Sequence, residues 1–374
     1  MMQATIEQGL LARALAVAGR AVSTRSSLPV LANVMLAADG NTLTVTGTNL
    51  EMAVSCAVRA DVTEPGELTA PAKLLTDWVT HVLPGPVELG VDKAKLTLKC
   101  GRSQSRMNTI DATAFPLIPV AAAEASMDLS AEQFVRLVER SAYAAAAQDG
   151  RASLTGILTT ADGDYLTMVA TDGYRLAVAQ EQAKGQPAQA LIPARAMLEA
   201  ARIAKGAADV TLGFEPGRVS LAIRTETETT LIVTQLIDAK YPDWTAIVPK
   251  HHTSSAGIDA REFARLLKLA KLFAREDAAK NRVVFRLLPD AVSLAAESGE
   301  RGSNESEMSA TLDGNPLEFA LSGEYTTQAV DAAGVERLVI EGTLPNRPIV
   351  LRIPDSDSYT AVIMPMAREG AGTQ

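Results

Sequence analysis

Histidine and cysteine are scarce in this sequence. Its 374 residues include three histidines and two cysteines. His251 and His252 are adjacent, so a strand would direct them to opposite faces, where they could not bind one metal ion together. Cys56 and Cys100 lie in apolar, strand-like surroundings without a Cys-x-x-Cys spacing, which favours buried free thiols over a disulfide or a metal site. We therefore expect no metal centre, no cofactor and no redox role.

Long apolar runs and a leader segment are also missing. No apolar run approaches the ~20 residues that are needed to span a membrane. The N-terminus lacks a basic stretch that leads into an apolar core. These absences predict a cytoplasmic protein that is not inserted in a membrane.

The motifs of nucleotide chemistry and of catalysis are absent. Gly101, Gly150 and Gly163 stand alone rather than in a Walker loop or a dinucleotide-binding fingerprint. The carboxylates are scattered, and no pair stands out as an acid and a base. This pattern favours a binding or scaffolding protein over an enzyme, although an enzyme with an unrecognised site stays an alternative.

A surplus of basic residues is missing as well. Lysine and arginine number 35 against 44 aspartates and glutamates, which gives a formal net charge of −9. This balance argues against binding nucleic acid through the whole surface, because phosphate contacts need clustered basic residues, but local basic patches remain possible. Hydrophobic residues make up 47% of the chain, enough for proper cores, and the length suits two or three domains of roughly 100 to 200 residues each.

A weak internal repeat runs along the whole chain. Each repeat opens with a capping box before an amphipathic helix, at Thr5 with Gln8, at Ser130 with Gln133 and at Asp259 with Glu262. Alternating β-type sequence follows, and then a second short helix begins at Pro71, at Pro193 and near Ser322. These landmarks predict an α+β protein of three repeated domains, built from helices and antiparallel sheets, at residues 1–122, 123–251 and 252–374.

Residues 171–176 (Thr-Asp-Gly-Tyr-Arg-Leu) predict a tight hairpin turn between two β-prone segments. Tyr174, Arg175 and Leu176 stand side by side at its exit, a mixture that suits the binding of an extended partner peptide. The alternative is a hairpin with no binding role. Residues 48–52 occupy the matching place in the first repeat.

The first helix of the third repeat has two distinct faces. Apolar residues fall on one side, at Phe263, Leu266, Leu267, Ala270 and Phe273, and basic residues fall opposite, at Arg261, Arg265, Lys268 and Arg275. A solvated helix face is the plain alternative. A homodimer would supply six repeats, enough to close a ring, and basic helices on its inner wall would attract duplex DNA without reading its sequence. Leu272 interrupts the basic stripe, either incidentally or as a subunit contact.

Five short segments resemble the bacterial DNA polymerase sliding clamps, the β subunits of the replicative polymerase III holoenzyme. They are residues 28–33, 48–52, 170–176, 241–244 and 362–366, and they spread over all three repeats. The resemblance implies the DNA clamp fold and a head-to-tail homodimer in which two chains close a ring around double-stranded DNA. It also implies a non-catalytic processivity factor that tethers the replicative polymerase α subunit and other proteins with a clamp-binding motif, and that a clamp loader places on DNA. A triplicated scaffold that binds only proteins is the alternative.

In this family a partner peptide docks in an apolar pocket between the second and third domains. By position, the pocket residues would be Leu154, Thr171, Gly173, Tyr174, Arg175, Leu176, Pro242, Ile247, Val362, Met364, Pro365 and Met366. Methionines and aliphatic side chains give an adaptable floor for varied partners, and Arg175 can bind the polar ends of the peptide. Ordinary core packing is the alternative for most of these residues.

The resemblance also implies a DNA-contacting surface and a subunit interface. The DNA-contacting residues would be Arg25, Lys73, Gln148, Arg151, Arg195, Arg282 and Tyr325, and the interface would include Leu272 and Phe273. Weak phosphate contacts would suit a clamp that must still slide.

Three positions depart from the family pattern. Tyr174 stands where many members have histidine, Ala246 where some have arginine, and Ala367 with Arg368 where an arginine often follows the second methionine directly. We expect the pocket to persist with a changed peptide preference, and residues 369–374 to form a disordered tail.

Overall fold

The chain forms six α-helices in the part that the structure, a computed structural model, describes: residues 2–23, 28–92, 95–118, 123–148, 150–274 and 281–366. The helices are α1 (Gln8–Ala18), α2 (Ala72–His81), α3 (Ala131–Ala142), α4 (Ala194–Ala204), α5 (Ala260–Phe273) and α6 (Gly323–Ala333). Each predicted repeat therefore contains two helices.

Short strands make up most of the remaining chain. The strands of the first repeat are β1 (Gln3–Glu7), β2 (Asn33–Asp39), β3 (Thr42–Thr48), β4 (Met52–Arg59), β5 (Asp61–Glu64), β6 (Gly66–Pro71), β7 (Pro86–Asp92), β8 (Lys95–Cys100) and β9 (Ser103–Asn108). Those of the second are β10 (Ala125–Ser130), β11 (Gly156–Ala161), β12 (Tyr165–Thr171), β13 (Arg175–Gln182), β14 (Lys184–Gly185), β15 (Ala188–Pro193), β16 (Asp209–Glu215), β17 (Arg218–Arg224) and β18 (Glu228–Gln235). Those of the third are β19 (Ser254–Asp259), β20 (Arg282–Leu288), β21 (Ala291–Ser298), β22 (Gly302–Ser309), β23 (Thr311–Gly314), β24 (Leu317–Ser322), β25 (Arg337–Gly342), β26 (Ile349–Arg352) and β27 (Tyr359–Ile363).

The chain divides into two compact units, and the first comprises Met1–Val135, Ala161–Asp164 and Ala183–Ile237. It holds a sheet in the order β5-β1-β7-β8-β9 and a second in the order β14-β10-β16-β17-β18-β4-β3-β2-β6. The long sheet joins strands of two repeats through the antiparallel pair β4 and β18. Leu11, Leu15 and Leu75 from the helices are buried in a core shared with strand residues such as Val45 and Leu98.

The second unit comprises Arg136–Thr160, Tyr165–Gln182 and Asp238–Gln374. It holds the strand series β11-β12-β13-β27-β26-β25-β19-β23 and a four-stranded sheet in the order β22-β21-β20-β24. Two repeats again share a sheet, here through the antiparallel pair β13 and β27. Phe263, Phe285 and Phe319 stack in the core, with ring centroids 5.9 and 5.5 Å apart along the series.

The α+β class with three similar domains of antiparallel sheets is confirmed. The boundaries at 122 and 251 stay a prediction, because the compact units are two and each takes segments of the central repeat. Residues 119–122 and the predicted tail 369–374 lie outside the described residues.

The predicted capping boxes have three different outcomes. Ser130 and Gln133 form the full reciprocal pair, with side-chain to backbone distances of 3.0 and 3.2 Å. Asp259 Oδ1 accepts from the Glu262 N–H at 2.8 Å, which caps α5. The box at Thr5 is wrong: Thr5 lies within β1, which pairs with β5 and β7, so sheet pairing prevailed over the local capping signal. No described helix is long and apolar enough to cross a membrane.

Candidate peptide site and nucleic-acid surface

The predicted hairpin turn joins β12 to β13, and its own side chains hold it. Thr171 Oγ1 donates to the Arg175 carbonyl at 2.6 Å and accepts from the Gly173 N–H at 3.1 Å. Asp172 Oδ1 accepts from the N–H groups of Tyr174 and Arg175 at 2.9 and 3.0 Å. Gly173 has a φ of 88°, which a residue with a Cβ adopts only at a cost. We call residues 171–175 turn two; the tight turn predicted from Asp-Gly is confirmed.

A small apolar cluster lies directly beside turn two. Leu176 on β13 pairs with Val362 on β27, and each is only 1% exposed. Tyr241, Trp244 and Val248 pack against this cluster from the segment after residue 240. The pocket predicted from the family resemblance includes Leu176 and Val362 but not Trp244. Trp244 is nevertheless part of the 241–244 segment that carries the resemblance.

Large apolar side chains are exposed around this cluster. Tyr174 is 65% exposed, Met364 43% and Ile247 38%. The Met364 N–H donates to the Tyr174 carbonyl at 2.9 Å, which carries the β13–β27 ladder beyond the end of β27 and fixes Met364 next to the turn. Exposed apolar side chains grouped above a buried apolar floor are typical of a protein–protein site.

The other predicted pocket residues differ in how far they are exposed to solvent. Leu154 is 2% exposed and Thr171 is 4% exposed, so both support the structure from within. Pro242 is exposed, and Pro365 and Met366 are half-buried. The predicted set therefore separates into buried supports and an exposed rim.

The Arg175 guanidinium is held by contacts within the chain. Its Nε donates to Asp172 Oδ2 at 3.1 Å, its Nη1 to Gln328 Oε1, and its Nη2 to the Tyr143 carbonyl at 2.6 Å. The guanidinium lies over the rings of Tyr325 and Tyr143, 4.3 and 5.3 Å from the centroids. Three of the five N–H groups therefore donate within the chain, so Arg175 supports turn two, and its contact with a peptide stays a prediction.

Buried phenols near this site are held in the neutral form. Burial raises the pKa of Tyr143, Tyr241 and Tyr359 well above the usual tyrosine value. The hydroxyls of Tyr143 and Tyr359 are 2.8 Å apart, and the Tyr359 hydroxyl donates to the Ala329 carbonyl at 2.7 Å. The Tyr241 hydroxyl donates to the Val169 carbonyl at 3.3 Å. These groups act as structural donors, and none has the environment of an acid or base.

The predicted DNA-contacting residues fall into exposed and buried sets. Lys73 and Arg195 are exposed at the second position of α2 and of α4, the matching helices of two repeats. Gln148 and Arg151 are also exposed, and the Arg151 Nη2 lies beside Gly173 of turn two. Arg25 lies outside the described residues.

Arg282 and Tyr325 are the members of that set with limited exposure among the described residues. Arg282 is half-buried, and its Nε is buried without a hydrogen-bond partner among the described residues. Tyr325 is 8% exposed, and the Arg175 guanidinium covers its ring. Local sequence does not reveal this burial, because it depends on Arg175, 150 positions earlier in the chain.

The two faces predicted for α5 are present. Phe263, Leu266, Leu267 and Ala270 are buried, whereas Arg261, Arg265 and Lys268 are exposed. Leu272 is 63% exposed and Phe273 is half-buried at the end of the helix, and Arg275 lies outside the described residues.

The cysteines and histidines form no disulfide and no metal site among the described residues. Cys56 and Cys100 are buried free thiols, as predicted, and burial raises the pKa of Cys56 to about 11. Among the described residues no group of histidine, cysteine and carboxylate side chains could hold a metal ion.

Three family models match the chain in order. They describe the N-terminal, central and C-terminal domains of the DNA polymerase III beta subunit, and they match residues 2–119, 128–243 and 245–367. The chain belongs to the beta sliding clamp family. Its function is that of a DNA sliding clamp, a non-catalytic processivity factor, and the reading as a protein-only scaffold is not favoured.

Individual relatives agree with this assignment over nearly full length. The chain is 29% identical to the beta sliding clamp of Pseudomonas aeruginosa over 376 residues, covering 98% of this chain and 100% of the relative. It is 28% identical to that of Synechococcus elongatus, covering 98% and 99%. Among solved structures, the P. aeruginosa subunit superposes with a TM-score of 0.90 at 27% identity, covering 98% of this chain and 100% of that one. The Bacillus subtilis clamp, with a TM-score of 0.92 at 21% identity and coverage of 98% and 99%, supports the fold.

Proposed function

We propose that the protein acts in the cytoplasm as a head-to-tail homodimeric ring, with domains divided near residues 122 and 251. The ring encircles duplex DNA and tethers the replicative polymerase α subunit, the clamp loader and other proteins with a clamp-binding motif. The observation that carries this proposal is the exposed apolar rim of Tyr174, Ile247 and Met364 beside the buried Leu176 and Val362.

The pocket at turn two suits an extended peptide with bulky apolar side chains. Leu176 and Val362 form a floor that is already packed, so a ligand need not order it before binding. The exposed Met364 side chain can adapt to partners of different shape. We assign direct peptide contacts to the rim, and a supporting role to Leu154, Thr171, Gly173 and Arg175.

The proposed DNA contacts include Lys73 and Arg195 in the first unit and Gln148 and Arg151 in the second, and all four are exposed. Arg282 and Arg25 remain proposed contacts. For Tyr325 we propose an indirect role through its packing with Arg175, because its ring is covered. Contacts through long, exposed side chains to phosphates hold DNA without reading its sequence, which suits a ring that must slide.

The homodimer is supported by two free sheet edges and an apolar residue. β9 is the outer strand of one sheet and β22 is the outer strand of another, so each offers unpaired backbone groups to a second copy. Arg106 on β9 is 63% exposed and pairs with Asp92, and Glu305 on β22 is 65% exposed and pairs with Arg286, so each edge exposes a charged side chain of opposite sign. Leu272 and Phe273 would be buried by the same contact.

Retention on nicked circular DNA after loading by the cognate clamp loader tests the ring. We expect retention on the circle and loss once the circle is linearised, because a topological link ends where the DNA ends. Equal retention on both forms would contradict encirclement. Leu272→Glu should lower the mass in solution from twice 39.4 kDa to that of one chain, whereas Leu344→Glu, at an exposed leucine outside the proposed interface, should leave the dimer intact.

A further inference from the structure

A second turn in the first compact unit repeats the hydrogen bonds of turn two. Thr48 Oγ1 donates to the Met52 carbonyl at 3.0 Å and accepts from the Leu50 N–H at 3.1 Å. Asn49 Oδ1 accepts from the N–H groups of Glu51 and Met52 at 3.0 and 2.8 Å. We call residues 48–52 turn one. It occupies the same place between β3 and β4 as turn two does between β12 and β13.

The strand that covers turn one is also equivalent. Ala53 pairs with Val233 on β18, as Leu176 pairs with Val362 on β27. The Gln235 N–H donates to the Glu51 carbonyl at 3.0 Å, as the Met364 N–H donates to the Tyr174 carbonyl. Turn one therefore has counterparts of Leu176 and Val362 in the floor, and of Tyr174 and Met364 in the rim, of the proposed peptide pocket.

A cleft of about 430 Å³ lies at turn one. Its walls include Leu50, Ala53, Val233, Pro116, Leu117 and Arg218. The floor is occupied by alanine at the position where turn two has leucine, so the side chains leave more room beneath the rim. A volume of this size accommodates one or two bulky side chains of a ligand.

Two leucines of this cleft keep much of their apolar surface in solvent. Leu50 has a φ of 77° at the position of Gly173, a left-handed conformation that costs a leucine about 1–2 kcal/mol. Its side chain is nevertheless 49% exposed, and that of Leu117 is 97% exposed. A strained backbone that holds an apolar side chain in solvent is consistent with a contact to an external apolar group.

The polar groups of the cleft distinguish it from the pocket at turn two. Glu51 and Gln235 stand where turn two has Tyr174 and Met364. Arg218 lines the cleft with its side chain 37% exposed, and its Nε forms an ion pair with the Glu215 carboxylate at 3.6 Å, longer than a normal hydrogen bond. A carboxylate on the ligand would be a second acidic partner, on the exposed side of this guanidinium.

We propose that the cleft at turn one is a second peptide site, for an extended segment whose bulky apolar side chain is followed by a carboxylate. The apolar side chain lies between Leu50 and Leu117 over Ala53 and Val233, and the carboxylate pairs with Arg218. The choice of a peptide as occupant rests on the function proposed for turn two, whose local structure this cleft repeats.

Methyl NMR on the full-length protein, labelled at leucine and methionine methyl groups, tests both sites in one titration. The probe is the acetylated tripeptide glutamine-leucine-phenylalanine with a free C-terminal carboxylate. We expect saturable shifts of the Leu50 and Leu117 methyls with a Kd of roughly 0.1 to 1 mM, weaker than at Met364, because the rim is more polar. The exposed Leu74 and Leu344 methyls are controls and should not move.

The two proposals fail separately in this experiment. Shifts at Met364 without shifts at Leu50 and Leu117 would overturn the second site and leave the first. Shifts at Leu50 and Leu117 without a shift at Met364 would overturn the site at turn two and keep the second. If no methyl shifts, both assignments are overturned.

Two variants test the contacts of the second site. Leu50→Gly removes the apolar side chain, fits the left-handed backbone, and should abolish the Leu117 shift while leaving that of Met364. Arg218→Gln should remove the preference for the carboxylate peptide over its C-terminal amide, a preference of about two- to fivefold for a partly exposed ion pair. Unchanged Leu117 shifts in Leu50→Gly, or an unchanged acid preference in Arg218→Gln, would overturn the assignment of those contacts.

Discussion

Turn one and turn two have the same backbone hydrogen bonds but different side chains. The threonine hydroxyl and the Asx side chain make equivalent contacts in both, at distances that differ by no more than 0.4 Å. The differences are confined to what the turns display: Leu50 against Gly173, Glu51 against Tyr174, Met52 against Arg175, Ala53 against Leu176, and Gln235 against Met364. The comparison shows that two polar residues maintain the scaffold while the other positions determine what it can bind.

The largest effect on peptide binding is expected from removing Leu176 and Met364, the apolar floor and rim residues that turn one lacks. Leu176→Ala together with Met364→Ala should weaken binding of a fluorescent glutamine-leucine-phenylalanine peptide by at least about 100-fold, or ~3 kcal/mol, because both apolar contacts are lost. Fluorescence anisotropy measures this. Leu74→Ala, at an exposed leucine on α2, is the matched control. Unchanged affinity in the double variant would place the peptide elsewhere.

The second largest effect is expected at the last residue of each turn, which is Arg175 in turn two and Met52 in turn one. Arg175→Met gives turn two the residue of turn one, and should lower the free energy of unfolding by about 2–4 kcal/mol, because Asp172 and the Tyr143 carbonyl lose their donors. Denaturant unfolding followed by circular dichroism measures the change. Met52→Leu at the equivalent position should change stability by less than about 1.5 kcal/mol, since it nearly conserves volume. Equal losses in both variants would contradict a special role for Arg175.

Gly173 and Leu50 occupy the same left-handed position, and exchanging their residue types should change the stability of the protein in opposite directions. Gly173→Leu should destabilise the protein by about 1–2 kcal/mol, and its Cβ would also lie 3.2 Å from Arg151 Nη2. Leu50→Gly should stabilise it by up to about 1 kcal/mol through relief of the same strain. Differential scanning calorimetry gives both shifts in Tm. A loss of stability in Leu50→Gly would mean that the Leu50 side chain contributes more packing than its exposure suggests.

The smallest effect is expected in the stability of the second unit at alkaline pH, where the tyrosines with raised pKa values ionise. Since folding raises the pKa of Tyr143, Tyr241 and Tyr359, their contribution to stability is fully present below pH ~10, where unfolded tyrosines titrate, and is lost as the pH rises through the folded-state values. Tyr241→Phe should reduce this alkaline loss relative to neutral pH. Unfolding curves at pH values on both sides of ~10 measure it. A pH dependence identical to that of the unchanged protein would contradict the assignment.

Local chemistry made much of this structure predictable. Thr171, Asp172 and Gly173 define turn two through contacts within four residues, and Ser130 with Gln133 caps α3 in the same local way. The amphipathic pattern of α5 likewise depends only on its own sequence. Features of this kind can be predicted because each residue carries its partner nearby.

Non-local contacts account for what the sequence could not show. Thr5 has the local pattern of a cap, yet β1 pairs along its length with β7, which lies about 80 residues further along the chain. The local sequence around Arg175 predicts a guanidinium that is free to bind a ligand. In the structure, Gln328, 153 residues away, accepts one of its hydrogen bonds. The cleft at turn one is non-local in the same way, because residues within the range 48–53 line it together with Pro116, Leu117 and Arg218.

The internal pairing of Arg175 has a consequence for how salt acts on the protein. The Arg175 charge at turn two is held among Asp172, Gln328 and two aromatic rings, beside an apolar rim. Peptide affinity there should change little with ionic strength, whereas the phosphate contacts proposed for the exposed Lys73 and Arg195 should weaken steeply as the salt concentration rises. We therefore expect a peptide bound at the proposed pocket to stay bound at salt concentrations that weaken the proposed DNA contacts.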